Sequence, residues 1–298
     1  MKPATRVGYT ELVTAECERT LVSLLRGLGP WKEAIYLIGG LTPRYLVRAT
    51  PPDRVEAHAG TLDIDVVVNL EILVGTDAYR RLEDNLAHLG FERATNREGE
   101  PVSWRWQTVT DRRVPITLEL LTDHPGGVGG KVRGLPVAGR ISALHIPRSS
   151  IVYDLYAETE VRATLPDDRG ITAVTVRHAN LVSFTCLKAF AFEDRAEPKD
   201  AYDLVYCIEH APGGLAQATR PFQTALRHPR HGDTVGDVLE ILRHRFADDA
   251  EVAGHQKEGP ATVATFELGQ GPEEAEARAL RRRQVSDLVQ DLLRRLSG

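Results

Sequence analysis

Residues 60–70, GTLDIDVVVNL, set Asp63 and Asp65 one residue apart inside an otherwise apolar run. Strand side chains alternate between faces, so the two aspartates project together while Leu62, Ile64, Val66 and Val68 project the other way into a core. Carboxylates left unpaired in such a setting are expensive, so the pair calls for positive charge. In VPITLELL, residues 114–121, the same alternation turns Ile116, Leu118 and Leu120 inward and puts Glu119 on the opposite face. If these strands are neighbours, three carboxylates converge and raise one another's pKa unless a cation sits between them. Oxygen-only donors suit Mg²⁺ or Mn²⁺, which keep positions open for water and for phosphate oxygens. Two such ions can draw in a hydroxyl nucleophile and hold a triphosphate for in-line displacement.

A DxD pattern alone is short and fits a solvent-facing strand equally well. The segment LIGGLTPRYL, residues 37–46, makes it more specific, because a Gly-Gly turn before a helix offers backbone N–H groups at Gly39 and Gly40 to phosphate oxygens. Cations come from CLKAFAFEDRAEPKDAYDL, residues 186–204. Lysine is scarce here, six among 37 basic residues, yet Lys188 and Lys199 both fall in this stretch. Lys188 and Arg195 are seven apart on one helical face, and Pro198 opens a second helix on which Lys199 and Asp203 are four apart. Phe184, Leu187, Phe190 and Phe192 make the first helix apolar nearly all round, so its charges are expected to be buried. Two lysines and an arginine in this position are suited to neutralising charge on a transferring phosphoryl group.

Periodicity predicts the elements that carry these residues. Residues 10–27 read as an amphipathic helix, EAIYLIGG as a strand closed by the glycines, and Thr42-Pro43 as the cap and first position of a helix. Residues 76–90 follow as a helix with Tyr79, Leu82, Leu86 and Leu89 on one face, then strands at 102–109 and 114–121 turning at Asp111-Arg112. VRATL and ITAVTV, around the turn signal PDDRG, read as a hairpin. The glycine-rich residues 124–140 read as a loop. Composition then turns helical, which places a boundary near residue 178: a mixed α/β domain over 1–178 and a helical domain over 179–298 that completes the cleft.

A chain of 298 residues with 42% hydrophobic content can bury a sizeable core, and its net charge of -5 argues against a uniformly basic nucleic-acid binder. Cys17, Cys186 and Cys207 are widely spaced and show no zinc or disulfide pattern, which points to a reducing, cytoplasmic setting. The sequence has neither a signal-like apolar start nor a membrane-length apolar run. GGVGGKVRG superficially resembles a phosphate-binding P-loop, but the spacing is one residue short and Val132 stands where Ser or Thr would bind Mg²⁺. Arg227, Arg230, Arg243, Arg245 and Arg281–Arg283 could meet an RNA backbone. In the last helix, an acidic start at Glu273, Glu274 and Glu276 and a basic end complement the dipole, so a solvated surface is the better reading there. Trp104 and Trp106 are expected in the core or at its rim.

Taken together, LIGGLTPRYLV, GTLDIDVVV, the third acid in ITLELL and KAFAFEDRAEPKDAYDL resemble the AbiEii family of nucleotidyltransferase toxins, including the mycobacterial MenT group, over roughly residues 30–210. The resemblance implies an α+β fold: a polymerase β-like nucleotidyltransferase mixed-sheet domain followed by an α-helical domain. It implies that Asp63 and Asp65 bind the catalytic Mg²⁺ or Mn²⁺, that Lys188 contacts nucleotide phosphates, and that Asp203, or Asp200 beside it, completes the site. Thr61 is placed to help hold the nucleotide. The implied activity is NMP transfer from an NTP to a hydroxyl, the tRNA 3′ end being the leading acceptor, with growth arrest as outcome and an antitoxin as partner. Modification of a protein hydroxyl, or nucleotide binding without catalysis, are the alternatives. The sequence departs from the family pattern twice: the turn is Gly-Gly-Leu where many relatives have Gly-Ser, and the third acid is a glutamate.

Overall fold

The structure, a computed structural model, describes residues 3–47, 57–69, 76–96, 98–123, 129–134 and 141–297. In chain order the first elements are α1 (Glu11–Leu28), β1 (Ile35–Leu37), α2 (Pro43–Leu46), β2 (Asp63–Val68), α3 (Thr76–His88), β3 (Glu92–Thr95), β4 (Pro101–Val109) and β5 (Pro115–Thr122). Next come β6 (Val132–Gly134), β7 (Ser142–His145), β8 (Tyr156–Thr164) and β9 (Ile171–Ala179). The chain ends in α4 (Leu181–Arg195), α5 (Pro198–Glu209), α6 (Gly214–Ala225), α7 (Gly232–Phe246), α8 (Glu258–Leu268) and α9 (Ala275–Ser297). With strands and helices segregated in this way, the fold is α+β.

Two compact units form. The sheet unit comprises Thr10–Thr42 and Gly60–Asn180; the helical unit comprises Met1–Tyr9, Pro43–Ala59 and Leu181–Gly298. Two early segments of the chain thus belong to the helical unit. They join the later helices through aromatic contacts: Tyr9 packs against Phe266 with centroids 6.1 Å apart, and the Ala59 N–H donates to the Tyr202 hydroxyl at 3.1 Å.

In the sheet unit the strand order is β3-β4-β5-β2-β1-β9-β8, with β7 added beside β5 and β6 beside β7. β2 runs parallel to β5 and antiparallel to β1. Alternation holds where it was expected: Ile64, Val66, Ile116, Leu118 and Leu120 are buried, whereas Asp63, Asp65 and Glu119 are only partly covered. β8 and β9 form a long antiparallel hairpin from Tyr156↔Ala179 to Thr164↔Ile171. Of the glycine-rich segment, Val132–Gly134 is a strand rather than a loop, because the edge of β7 supplies its hydrogen-bond partners. The remainder of that segment, residues 124–128 and 135–140, lies outside the described residues, as does the Tyr79 side chain.

α1 starts where the Thr10 hydroxyl accepts the Val13 N–H, and it buries Cys17, Leu21, Leu24 and Leu25. Arg19 ties this helix to two turns. It donates to Thr164 O at 2.9 Å and Leu165 O at 3.0 Å, pairs with both oxygens of Asp111, and meets Glu16 at 3.1 Å. A buried guanidinium persists only when its donors are satisfied in this way.

In the helical unit, Arg281 of α9 bridges two acids, holding Glu209 of α5 at 2.7 and 2.8 Å and Glu267 of α8 at 2.6 and 3.0 Å. Among the described residues no helix is long and apolar enough to cross a membrane.

Candidate functional site

In the sheet unit the acidic residues are placed by strand register. β2 and β5 pair Asp63 with Thr117 and Asp65 with Glu119, while β4 and β5 pair Glu119 with Arg105. Directly opposed residues project to the same face, so Arg105, Glu119 and Asp65 form one row across three strands. Arg105 holds Glu119 Oε1 through Nε at 2.9 Å and Nη2 at 2.6 Å. Its guanidinium also lies 4.6 Å from the Trp104 ring centroid. Trp104 is half-buried and Trp106 is core, in line with the placement read from sequence.

Beside this row sits the Gly-Gly turn. The Ile38 N–H donates to Asp65 O at 2.9 Å, which carries the β1–β2 pairing up to Gly39, and the Thr42 N–H closes the turn on Gly39 O at 2.9 Å. A Cβ on Gly39 would overlap the Asp65 carboxylate, with Oδ2 nearest and Cγ 2.6 Å away. Glycine is therefore required here for close approach. Gly39 and Gly40 are buried, and α2 after them is a single turn rather than a full helix. Thr42 does not cap it by its side chain: its hydroxyl is buried and has no hydrogen-bond partner among the described residues. The Thr61 hydroxyl works on the backbone, accepting the Asp63 N–H at 3.2 Å and donating to Asp63 O at 3.0 Å, which fixes the entry into β2.

Cys17 is wholly buried under this face, and its thiol is pushed far up by burial and then by the negative charges of Asp63, Asp65 and Glu16. It is thus no nucleophile. The donor set of Asp63, Asp65 and Glu119 is all oxygen, and the glycine cradle leaves the Asp65 carboxylate in place. Both observations fit a hard divalent cation such as Mg²⁺ or Mn²⁺. Glu119 Oε1 is committed to Arg105.

The cationic residues gather in the helical unit. Lys188 on α4 meets Asp200 Oδ1 at 2.8 Å and Asp203 Oδ2 at 2.7 Å. Lys199 on α5 meets Asp203 Oδ1 at 2.7 Å and Oδ2 at 2.9 Å, and Arg195 meets Asp200 Oδ2 at 2.7 Å. His58 Nε2 lies 2.8 Å from Asp203 Oδ1. Both aspartates are buried, as are the two lysines for most of their length. Three cations thus share two carboxylates.

Burial penalises the Lys188 charge, but Asp200 and Asp203 outweigh it and hold the ammonium above its ordinary pKa. For Lys199, burial together with the Lys188 charge prevails over Asp203, and its pKa is lowered. Burial would raise Asp200 and Asp203, yet the neighbouring cations keep both below the ordinary carboxylate value, Asp203 well below. The His58 imidazole is pushed down to about 4 by burial, against the pull of Asp203, so it is neutral near pH 7. Replacing Lys188 by Met leaves two buried carboxylates short of a partner. Urea unfolding of Lys188→Met should therefore show a loss of about 3 kcal/mol or more.

The pH dependence has a definite sign. The stabilisation from Asp200 and Asp203 is complete above the ordinary carboxylate pKa of 3.8 and disappears as pH falls through their lower folded values. His58 protonates in the unfolded chain at about its ordinary 6.5 and in the fold only at about 4. Between those values the unfolded chain binds the extra proton, so stability falls as pH falls, by as much as about 3 kcal/mol. Denaturant titrations from pH 7 to pH 4 measure this slope, and His58→Phe should flatten it.

No protein-family model matches the chain, and no curated protein does. Among solved structures it is similar to an antigenic nucleotidyltransferase-like protein from Paracoccidioides brasiliensis, at 12% identity and a TM-score of 0.35, over 89% of this chain and 93% of that one. Likeness at this level leaves the functional argument to the residues themselves. Two of those residues escaped the sequence reading. His58 lies in a polar stretch with no motif around it, and Arg105 becomes a partner of Glu119 only once β4 and β5 are paired.

Proposed function

We propose that the chain is a metal-dependent nucleotidyltransferase that moves NMP from an NTP to an acceptor hydroxyl and releases pyrophosphate. The observation that carries this reading is the seating of the Asp65 carboxylate on the Gly39 backbone, in register with Glu119 and two residues from Asp63. Asp63 and Asp65 hold Mg²⁺ or Mn²⁺, with Glu119 as the third acid tethered by Arg105. A bound divalent ion supplies charge neutralisation and makes a hydroxyl a better nucleophile.

Gly39 and Gly40 keep the turn narrow enough for phosphate oxygens to approach the backbone, and Thr61 shapes the start of β2 beside the nucleotide. Two of the three N–H groups on Lys188 serve Asp200 and Asp203, which leaves the third for a phosphate oxygen. Lys199 and Arg195 add positive charge as pyrophosphate departs, and Asp200 and Asp203 keep the lysines ordered. The acceptor oxygen bonds to the α-phosphorus while the bond to the bridging oxygen of pyrophosphate breaks.

The AbiEii and MenT resemblance supports a toxin that acts on the tRNA 3′ end and is restrained by an antitoxin. To test this, purified protein is incubated with each of four labelled NTPs and total tRNA, with and without Mg²⁺. Label is expected in tRNA only when Mg²⁺ is present. Label confined to added protein would replace the acceptor, and absence of metal-dependent label from every pool would overturn the assignment.

A further inference from the structure

We propose that His58 is a positioning residue: its imidazole donates Nε2–H to Asp203 Oδ1 and so fixes the carboxylate in the one orientation that serves both Lys188 and Lys199. This role rests on the nucleotidyltransferase reading only for its activity readout. The geometry itself lies wholly within the helical unit.

Four contacts saturate Asp203. Oδ1 receives Lys199 at 2.7 Å and His58 at 2.8 Å; Oδ2 receives Lys188 at 2.7 Å and Lys199 at 2.9 Å. A carboxylate occupied in this way, with its proton affinity suppressed by the surrounding cations, does not act as a general base. Its task is to hold the two ammonium groups apart and aimed. Lys199 bridges both oxygens and is compatible with rotation of the carboxylate about its own bond, whereas His58 contacts one oxygen from a fixed ring and is not.

That ring is immobilised. It stacks on Tyr202 with centroids 5.3 Å apart and planes at 26°, and it meets the edge of Tyr206 at 4.9 Å. The next residue is pinned to the same Tyr202 through the Ala59 N–H. Among the described residues, the charged and titratable groups facing it include Asp203, Lys199, Tyr202 and Tyr206 from α5, and Lys188 from α4. Because Asp203 is ionised and can only accept, the tautomer is set: hydrogen on Nε2, none on Nδ1. In the chain, His58 lies five residues before Asp63, so the segment leading into β2 carries the residue that orders the lysines.

Two measurements test the proposal. In protein labelled with ¹⁵N-histidine, NMR at pH 7 should show the His58 ring neutral with Nε2 protonated; an imidazolium, or a proton on Nδ1, overturns it whether or not the protein transfers nucleotides. In the transfer assay, His58→Phe keeps the stacking and removes the donor, while His58→Gln returns a donor near the Nε2 position. The expected results are a roughly tenfold fall in kcat for Phe, the order of one lost charge-assisted hydrogen bond, and recovery to within about threefold for Gln. Equal losses in both variants, tracking their melting temperatures, would reduce His58 to packing. A wild-type protein with no transfer activity sinks the functional reading instead, and the tautomer then decides the present one.

Discussion

Asp65→Ala should lower Mg²⁺-dependent nucleotidyl transfer by roughly 10³-fold or more while leaving the fold intact. The carboxylate ends the cross-strand row, paired in register with Glu119 and lying against the Gly39 backbone. An ion held by several carboxylates loses both affinity and geometry when one of them goes. Stability is followed in parallel, so that a loss of fold is told apart from the loss of the metal-binding carboxylate. Steady-state transfer rates, taken alongside thermal unfolding, separate these effects. Asp63→Ala is expected to behave in the same way, and survival of more than a tenth of the activity in either variant would discard the carboxylates as the catalytic centre.

Gly39→Ala is the second large effect, at roughly 10²-fold. Adding one methyl group is ordinarily mild, but here the new Cβ coincides with the Asp65 carboxylate, 2.6 Å from its Cγ and closer still to Oδ2. Either the carboxylate swings away or the turn opens. A displacement of about 1 Å in a reacting geometry is enough for a loss of that size. The signature distinguishing this from a folding defect is that a raised Mg²⁺ concentration partly restores the rate, since the ion site is distorted and not deleted. Full activity in Gly39→Ala would show that the turn and the acid do not cooperate.

Much of this arrangement was legible in the chain because it follows from local periodicity. DIDVVV alternates, so the faces of Asp63 and Ile64 were fixed before any neighbour was known. The pairing of β2 with β5 was a conditional expectation, and the register of Asp65 with Glu119 fulfils that condition. What stayed hidden is non-local. Nothing around Arg105 announces that Glu119 will face it, since strand order is decided by the whole sheet. His58 meets Asp203 across 145 residues.

Two of the later helices carry no clear local signal in the sequence. α6 contains Pro221 in its interior and starts at Gly214, both of which read as punctuation. α8 opens on Glu258-Gly259-Pro260 and lacks a polar face; Gly259 is there to let the Phe246 ring close on the backbone, which a linear pattern does not convey. The grouping of Pro43–Ala59 with the late helices likewise depends on packing partners far along the sequence.

The burial of the Lys188–Asp200–Asp203–Lys199 network has a consequence for behaviour in electrolyte. Mobile ions screen exposed charges over a Debye length of about 8 Å at 0.15 M, but they screen a largely buried cluster much less. Added salt therefore leaves the cohesion of these helices largely intact while it weakens long-range attraction between charged molecules and the exposed surface. Ionic strength becomes a handle that separates the encounter with substrate from the integrity of the protein that receives it.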